Sequence, residues 1–293
     1  MGKISMLRRI MAGAERALGL HAPGRHLAVF PDDTFLVSYP KSGNTWARFL
    51  IANLLHPHEK VDFSNVNHMI PGIEVTRNRD LLRTPRPRII KSHQYFDPRY
   101  PRVIYIVRDP RDVVVSQYHF QRKRKVVADQ YPLPDYVRDF VAGKTSFYGS
   151  WGEHVASWLS TRHGRPGFLL LRYEDMVENT PRELAKIAAF LSLSATPEMI
   201  LQAVERSSAD RMRTLEKTQA QLFTSTKNTR QDIPFVRAAK AGGWRSALPE
   251  ECAVHLDEAW GHLIRWLGYE PVLADKELVP EDQHVGWLVG PRP

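Results

Sequence analysis

Short apolar runs alternate with segments of helical periodicity along most of the 293-residue chain. The apolar runs predict buried strands at Phe35–Tyr39, Arg88–Ser92, Val103–Val107 and Phe168–Tyr173. Apolar residues at helical spacing predict helices near Thr45–Leu55, Pro110–Arg122, Tyr148–Arg162, Pro181–Leu191 and Glu250–Leu267. Strands that alternate with helices indicate the α/β class, with a central parallel sheet flanked by helices on both faces.

The chain length suits one large domain, which we place at residues 31–270. Residues 1–30 are predicted to form a basic, amphipathic N-terminal extension with a helix over Met1–Leu20, and residues 271–293 a C-terminal tail. No apolar run reaches the ~18 residues of a membrane span, so we expect no transmembrane segment. The single cysteine, Cys252, excludes a disulfide within the chain and fits a reducing compartment, so we expect a cytoplasmic protein.

The chain is basic, because 41 Lys and Arg against 32 Asp and Glu give a net charge of +9. This surplus suits a polyanionic nucleotide, an acidic acceptor, a membrane surface or a nucleic acid. The sequence contains no zinc-finger spacing and no RNA-binding aromatic motif, so we expect no specific nucleic-acid partner. The densest basic run, Arg122–Lys125, is predicted to be a solvated helix end, with the rim of the binding site for such a nucleotide as the alternative.

The segment Ser38–Trp46 joins the first predicted strand to the first predicted helix and has the composition of an anion-binding turn. The first N–H groups of a helix are unpaired and the helix dipole is positive there, so this turn suits a phosphate. Lys41 adds a full charge, Gly43 permits a positive φ or a close approach, and Trp46 suits stacking on a purine. The candidate ligands in this loop are Lys41, Ser42, Gly43, Asn44, Thr45 and Trp46.

This loop is P-loop-like but is not a Walker A motif, which has Lys after its second Gly. Here Lys41 precedes the only Gly of the segment, and Asn44 stands where a magnesium-binding hydroxyl would follow. The pattern therefore disfavours ordinary ATP chemistry. A P-loop-type kinase or NTPase, and a non-catalytic protein that binds a nucleotide or another polyanion, are the alternative hypotheses.

A second candidate site follows the third predicted strand. Asp109 and Pro110 are typical of a helix start, with Asp as the N-cap and Pro at the first helical position. Arg108 then lies at the carboxyl end of a strand, where open α/β sheets bind ligands, and Ser116 lies about two turns along the helix. A guanidinium and a hydroxyl suit a second phosphate, although the segment alone is explained equally well by an Arg108–carboxylate pair.

Together these segments resemble the cytosolic type of sulfotransferase that uses 3′-phosphoadenosine 5′-phosphosulfate (PAPS). Tyr39–Trp46 is similar to the family's 5′-phosphosulfate loop, and Arg108–Ser116 is similar to its 3′-phosphate segment. Further similar segments, in the family's order, are Ile89–His93, Leu171–Met176 and Phe235–Arg245. The resemblance implies in-line transfer of a sulfuryl group from PAPS to a hydroxyl or amine of a small-molecule acceptor, with no metal required. It implies that His93 is the general base, that Lys41 neutralises the leaving oxygen and that Lys91 binds the sulfonate.

The resemblance also implies nucleotide ligands outside the first loop, with departures from the family pattern. These ligands are Arg108, Ser116, Tyr173, Ser207, Arg237, Ala238 and Ala239. Ala238 and Ala239 stand where the family has Lys and Gly, so one 3′-phosphate contact is expected to be weaker or to come from Lys240. Ala209 replaces an aromatic residue that packs on the base. The family's dimerisation motif has no convincing match in Ser246–Glu251, so the oligomeric state stays open.

The long polar segment Thr214–Pro234 is predicted to be a mobile lid over the acceptor. It contains few apolar residues, so it cannot bury enough surface to hold one conformation by itself. Phe223 is the lid residue expected to touch the acceptor. The identity of the acceptor is not encoded in any motif of the chain.

Overall fold

The computed structural model describes Gly24 and residues 26–273, so the predicted helix over Met1–Leu20 and most of the predicted tail lie outside the described residues. The strands are Thr34–Ser38 (β1), Ile89–Ser92 (β2), Arg102–Val107 (β3) and Phe168–Arg172 (β4). The helices in chain order are Asn44–Leu55 (α1), Val66–Met69 (α2), Asn78–Leu81 (α3), Pro110–Lys123 (α4), Leu133–Val141 (α5), Trp151–Arg162 (α6), Tyr173–Glu178 (α7), Thr180–Phe190 (α8), Pro197–Arg206 (α9), Ala209–Gln219 (α10), Trp244–Ala247 (α11) and Glu250–Trp266 (α12).

The strands form one parallel sheet in the order β2-β1-β3-β4. The predicted α/β class is confirmed, and each strand lies within one residue of its predicted bounds. Because all the strands are parallel, their carboxyl ends meet at one edge of the sheet. The chain reverses its winding between β1 and β3, which is the position where open α/β sheets bind ligands.

Alternate residues of the central strands face opposite helical layers. Phe35 and Val37 pack in one apolar cluster with residues of α4, α6 and α12, whereas Leu36 packs in the other with residues of α1, α8 and α9. All three side chains are fully buried. Burial on both faces explains why the strands read as continuous apolar runs rather than alternating ones.

The basic run Arg122–Lys125 is not simply a solvated helix end, because Lys123 is only 1% exposed. Its ammonium donates to the carbonyl oxygens of Arg230 (2.8 Å) and Ile233 (2.7 Å) and pairs with Glu216 at 3.3 Å. The Glu216 carboxylate also accepts the backbone N–H groups of residues 235 and 236, at 2.6 and 2.9 Å. This ion pair therefore ties residues 230–236 to the end of α4.

The segment predicted to be a lid is partly built into the fold. Residues up to Gln219 belong to α10, and Phe223 is 1% exposed, with its ring stacked on that of Phe63 at 4.7 Å between centroids. The expectation that Phe223 touches the acceptor is therefore wrong, because its ring is buried in the second apolar cluster. Mobility of the remaining residues stays a prediction.

Glu216→Gln should destabilise the protein and loosen residues 230–236, because the buried Lys123 ammonium loses its counter-charge. Removing one partner of a buried ion pair costs about 3 kcal/mol, which chemical denaturation will measure. Trypsin should also cleave faster after Lys227 or Arg230. Asp210→Asn in the same helix is the control, since its ion pair with Arg213 is exposed and should contribute little. A Glu216→Gln protein as stable and as protease-resistant as the wild type would contradict this interpretation.

Candidate functional site

A cavity of about 1210 Å³ opens at the carboxyl edge of the sheet. Residues that directly follow the four strands line it: Lys41 after β1, His93 after β2, Arg108 after β3 and Tyr173 after β4. The parallel sheet thus brings together segments that are far apart in sequence. The predicted site residues that line the cavity are Lys41, Gly43, Asn44, Thr45, Trp46, Lys91, His93, Arg108, Ser116, Tyr173, Arg237, Ala238 and Ala239.

The loop between β1 and α1 has the backbone of an anion-binding turn. Gly43 precedes α1 with φ 96°, and a Cβ atom at this position would lie 2.5 Å from Cδ2 of Tyr173. Only glycine therefore allows both this conformation and the closely packed ring. Lys41 is also left-handed, with φ 71°. No side chain among the described residues caps the start of α1, so its first N–H groups are available to an anion.

The Lys41 ammonium is held between two aromatic rings. Its Nζ lies 4.2 Å from the ring centre of Phe120 and 4.5 Å from that of Phe235. Burial, and then the positive charges of Arg108 and Arg237, lower the pKa of Lys41 to about 7. A phosphate oxygen at this position would stabilise the charged form, so the site is built for an anionic ligand.

Arg108 connects the first loop to the late loop, Phe235–Arg245. Its guanidinium donates to the carbonyl oxygens of Lys41 (3.2 Å) and Lys240 (3.3 Å) and lies 4.2 Å from the ring centre of Tyr173. The Asp112 carboxylate lies 3.6 Å away, one helical turn along α4. Arg108 therefore has a carboxylate neighbour and also lines the cavity, and its role as a phosphate ligand stays a prediction.

The late loop is anchored over the cavity by two carboxylates. Asp112 accepts the backbone N–H groups of Gly242 (2.8 Å) and Trp244 (2.9 Å), and Glu216 holds the start of the loop as described above. Arg237 donates to the carbonyl oxygen of Val115 at 3.4 Å, which places its guanidinium beside the residue that precedes Ser116. Burial, and then the charge of Arg108, lower the pKa of Arg237, so an anionic ligand beside it would stabilise its charged form.

At the other end of the cavity, His93 is held in one tautomer. Its Nδ1 lies 2.6 Å from the carbonyl oxygen of Ser38, and because a carbonyl only accepts, Nδ1 carries the proton and Nε2 the lone pair. Burial, and then the charge of Lys91, hold the pKa of His93 well below its usual value, so the ring is neutral at pH 7. Glu74 accepts the His93 backbone N–H at 2.6 Å and pairs with the Lys91 ammonium at 3.0 Å. His93 is therefore a neutral imidazole held in one orientation, and its role as the general base stays a prediction.

Two of the predicted ligands, Ser42 and Ser207, do not line the cavity. Both side chains are fully buried, and the Ser207 hydroxyl accepts a hydrogen bond from Asn53 at 3.0 Å. The carbonyl oxygen of Ser207 accepts the indole N–H of Trp46 at 3.0 Å. Ser207 thus orients the Trp46 ring through its carbonyl oxygen, from outside the cavity. Of the two adjacent serines, Ser208 is the one that lines the cavity.

Sequence reasoning missed Glu74, Asp112, Glu216 and Phe120. Glu74, Phe120 and Glu216 lie outside every segment that resembles the family, whereas Asp112 lies within Arg108–Ser116, four residues after Arg108 on a predicted helix. Among the described residues, no group of three or more His, Cys, Asp or Glu side chains is arranged to hold a metal ion. Within the same part of the chain, no helix has the length and apolar character needed to cross a membrane.

Comparison with known proteins shows which family the chain matches. The family model of the sulfotransferase domain matches residues 31–268. A 3-beta-hydroxysteroid sulfotransferase of Cavia porcellus is 31% identical over 252 residues, which cover 83% of this chain and 86% of that protein. Sulfotransferase 1A1 of Mus musculus is 30% identical over 256 residues, with coverage of 82% and 87%.

Solved structures agree with the family match. A mouse sulfotransferase complexed with PAP has a TM-score of 0.65 and 25% identity, over 82% of this chain and 87% of that chain. A retinol dehydratase in complex with retinol and PAP has a TM-score of 0.68 and 21% identity, over 89% and 86%. The second likeness concerns the fold alone.

The affinity for 3′-phosphoadenosine 5′-phosphate (PAP) should decrease as the pH rises from 7 to 9. The pKa of Lys41 is about 7 in the free protein, and a bound phosphate raises it, so binding takes up a proton. The affinity that the charged Lys41 ammonium contributes is fully present below this pKa. It decreases above this pKa, by up to about tenfold per pH unit. Isothermal titration calorimetry in buffers of different ionisation enthalpy measures both the affinity and the proton uptake. Lys41→Met should abolish the pH slope, and an equal slope in wild type and variant would overturn this assignment.

Proposed function

The chain belongs to the sulfotransferase domain family and is a sulfotransferase that uses PAPS as its sulfuryl donor, and we propose how its residues divide the reaction. One observation carries the proposal: cationic side chains line one cavity after each of the adjacent strands β1 and β3, Lys41 after the first and Arg108 after the second. PAPS has a 5′-phosphosulfate and a 3′-phosphate. We assign the 5′ group to the loop Lys41–Trp46 and the 3′-phosphate to Arg108, Ser116 and Arg237.

The adenine lies between these positions, against the rings of Trp46 and Tyr173. The two ring centroids are 5.9 Å apart with an interplanar angle of 72°. Ala209 lines the same cavity and offers no ring to the base. Ala238 and Ala239 supply only backbone groups to the 3′-phosphate region, and Lys240 provides the charge there.

The chemical step is an in-line displacement at sulfur. The acceptor oxygen or nitrogen forms a bond to sulfur while the bond from sulfur to the 5′-phosphate oxygen breaks, so PAP leaves and a sulfated acceptor forms. Nε2 of His93 takes the acceptor's proton. Lys41 and the N–H groups at the start of α1 stabilise the charge that grows on the leaving oxygen. Lys91, oriented by Glu74, faces the sulfonate oxygens.

The acceptor is a small molecule, and we propose that it presents a hydroxyl or amine to His93. The name of one relative specifies a 3-beta-hydroxysteroid, and retinol is bound in one neighbour structure, which supports a hydroxyl on an apolar body. We also propose a cytoplasmic location, because Cys252 is buried and free, as expected in a reducing compartment.

The donor assignment predicts a large difference between two nucleotides. PAP should raise the melting temperature strongly, and adenosine 5′-phosphosulfate much less, because it lacks the 3′-phosphate that contacts Arg108 and Arg237. Differential scanning fluorimetry measures both. Arg237→Met should bring the two shifts together. Equal shifts in the wild type, or stabilisation by ATP that depends on Mg²⁺, would contradict the assignment and favour a kinase or NTPase.

His93→Ala should separate catalysis from donor binding. Removal of a general base lowers turnover by about 10²–10⁴-fold, whereas PAP affinity should stay near that of the wild type. Lys41→Met is the comparison, because it should impair both. Transfer from labelled PAPS to a phenol, together with calorimetry, measures the two effects. Turnover above a tenth of the wild-type value in His93→Ala would show that another group is the base.

A further inference from the structure

We propose that the acceptor carries an anionic group, which binds to a cationic rim formed by Arg124, Lys144 and Lys227. This inference rests on the proposed function, because it concerns the acceptor end of the same cavity. It names the acceptor class as an apolar molecule with a hydroxyl or amine at one end and a carboxylate, sulfate or similar group at the other.

The cavity wall is strongly cationic. Its Lys and Arg side chains are Lys41, Lys91, Arg108, Arg124, Lys144, Lys227, Arg237 and Lys240, and its single Asp or Glu among the described residues is Asp112. The phosphates of the donor explain the Lys and Arg side chains of the first and late loops. The ion pair with Glu74 explains the presence of Lys91. The three rim residues have no such explanation.

The rim residues come from three segments that are fixed to the last turns of α4. The amide Nε2 atoms of Gln117 and Gln121 donate to the carbonyl oxygen of Thr145, at 3.1 and 2.6 Å, which fixes the neighbouring Lys144. The backbone N–H of Arg230 donates to the carbonyl oxygen of Lys123 at 3.0 Å, which brings the turn containing Lys227 to the same helix end. Arg124 directly follows that helix. The three segments therefore meet at the same helix end.

The rim also belongs to the acceptor end of the cavity. Tyr148, four residues after Lys144, has its ring centroid 5.6 Å from that of His93. The loop 144–148 therefore runs from the rim to the proposed base. A molecule whose hydroxyl is at His93 meets this loop along its length.

The rim charges are only partly neutralised by the protein. Arg124 and Lys227 have no ion-pair partner in the part of the chain that the structure describes, whereas Lys144 forms one ion pair, with Asp139 at 3.8 Å. Asp129, the acidic residue nearest in sequence to Arg124, and Asp232, the one nearest to Lys227, both pair with Arg230. An anionic ligand group would therefore find uncompensated charge at this position.

Exposed apolar side chains line the space between the rim and the base. Val75 follows Glu74 next to His93, Phe147 lies in the loop 144–148, and Val126 follows the rim residue Arg124. These side chains are 53%, 86% and 63% exposed, and all line the cavity. Apolar side chains clustered at an open cavity favour an apolar ligand body. The combination of base, apolar wall and cationic rim describes an amphipathic, anionic acceptor.

The test uses two fluorescent probes that differ only in a sulfonate: 8-anilinonaphthalene-1-sulfonate and the neutral N-phenyl-1-naphthylamine. Both are titrated into protein saturated with PAP, so that the donor-end cations are occupied. The rim should favour the anionic probe by about tenfold in Kd, since several close charges act together. Lys144→Glu should remove most of this preference and leave the affinity for the neutral probe unchanged.

Lys60→Glu is the matched control. Lys60 is 78% exposed and lies 3.8 Å from Asp62, and Lys144 is 72% exposed and lies 3.8 Å from Asp139, but Lys60 does not line the cavity. Equal affinities for the two probes, an unchanged preference in Lys144→Glu, or an equal loss in Lys60→Glu would overturn the proposal. Failure of the proposed function is separate, because it would appear as absent PAP stabilisation or absent transfer to any hydroxyl.

Discussion

The structure depends on partly buried positive charge at the carboxyl edge of the sheet. Lys41, Arg108 and Arg237 converge on one cavity, and their mutual repulsion and desolvation oppose folding. The nearby carboxylates mainly fix the surrounding backbone segments: Asp112 accepts backbone N–H groups, and Glu216 pairs with Lys123. A bound polyanionic nucleotide removes this unfavourable contribution to the free energy of folding. Donor binding and the stability of the surrounding loops are therefore coupled.

One part of the site is positioned by the strands of the sheet, and the other part is held in place by a few polar contacts. The first loop and Arg108 follow β1 and β3, which are buried on both faces, and His93 follows the edge strand β2, so their backbone positions are determined by the sheet. The late loop has no strand beneath it and is attached through Asp112 and the Lys123–Glu216 pair. A few polar contacts thus decide whether Arg237 and Phe235 lie over the nucleotide. Elements held in this way are the ones expected to open first.

The donor end and the acceptor end of the cavity are formed by different kinds of segment. The donor end is built from the segments that resemble the family, which explains why its ligands were predictable. At the acceptor end, Glu74 connects the His93 backbone to the Lys91 ammonium, and exposed side chains such as Phe147 form the wall. Glu74 and Phe147 lie outside the segments that resemble the family, whereas Lys91 and His93 lie in one of them. Most of the predicted donor ligands therefore come from segments that resemble the family, whereas the acceptor wall also uses residues outside them.

The sequence by itself determined the strands to within a residue, the Asp109 cap and the need for glycine at position 43, because each depends on neighbouring residues or on a single local conformation. Only the tertiary structure decided the roles of Lys123, Phe223 and Glu74. A lysine in a basic run is buried because carbonyl groups more than a hundred residues away receive its ammonium. A phenylalanine in a polar segment is buried because Phe63 supplies a stacking face. Burial and pairing depend on which distant segments the fold brings together, and no local pattern contains that information.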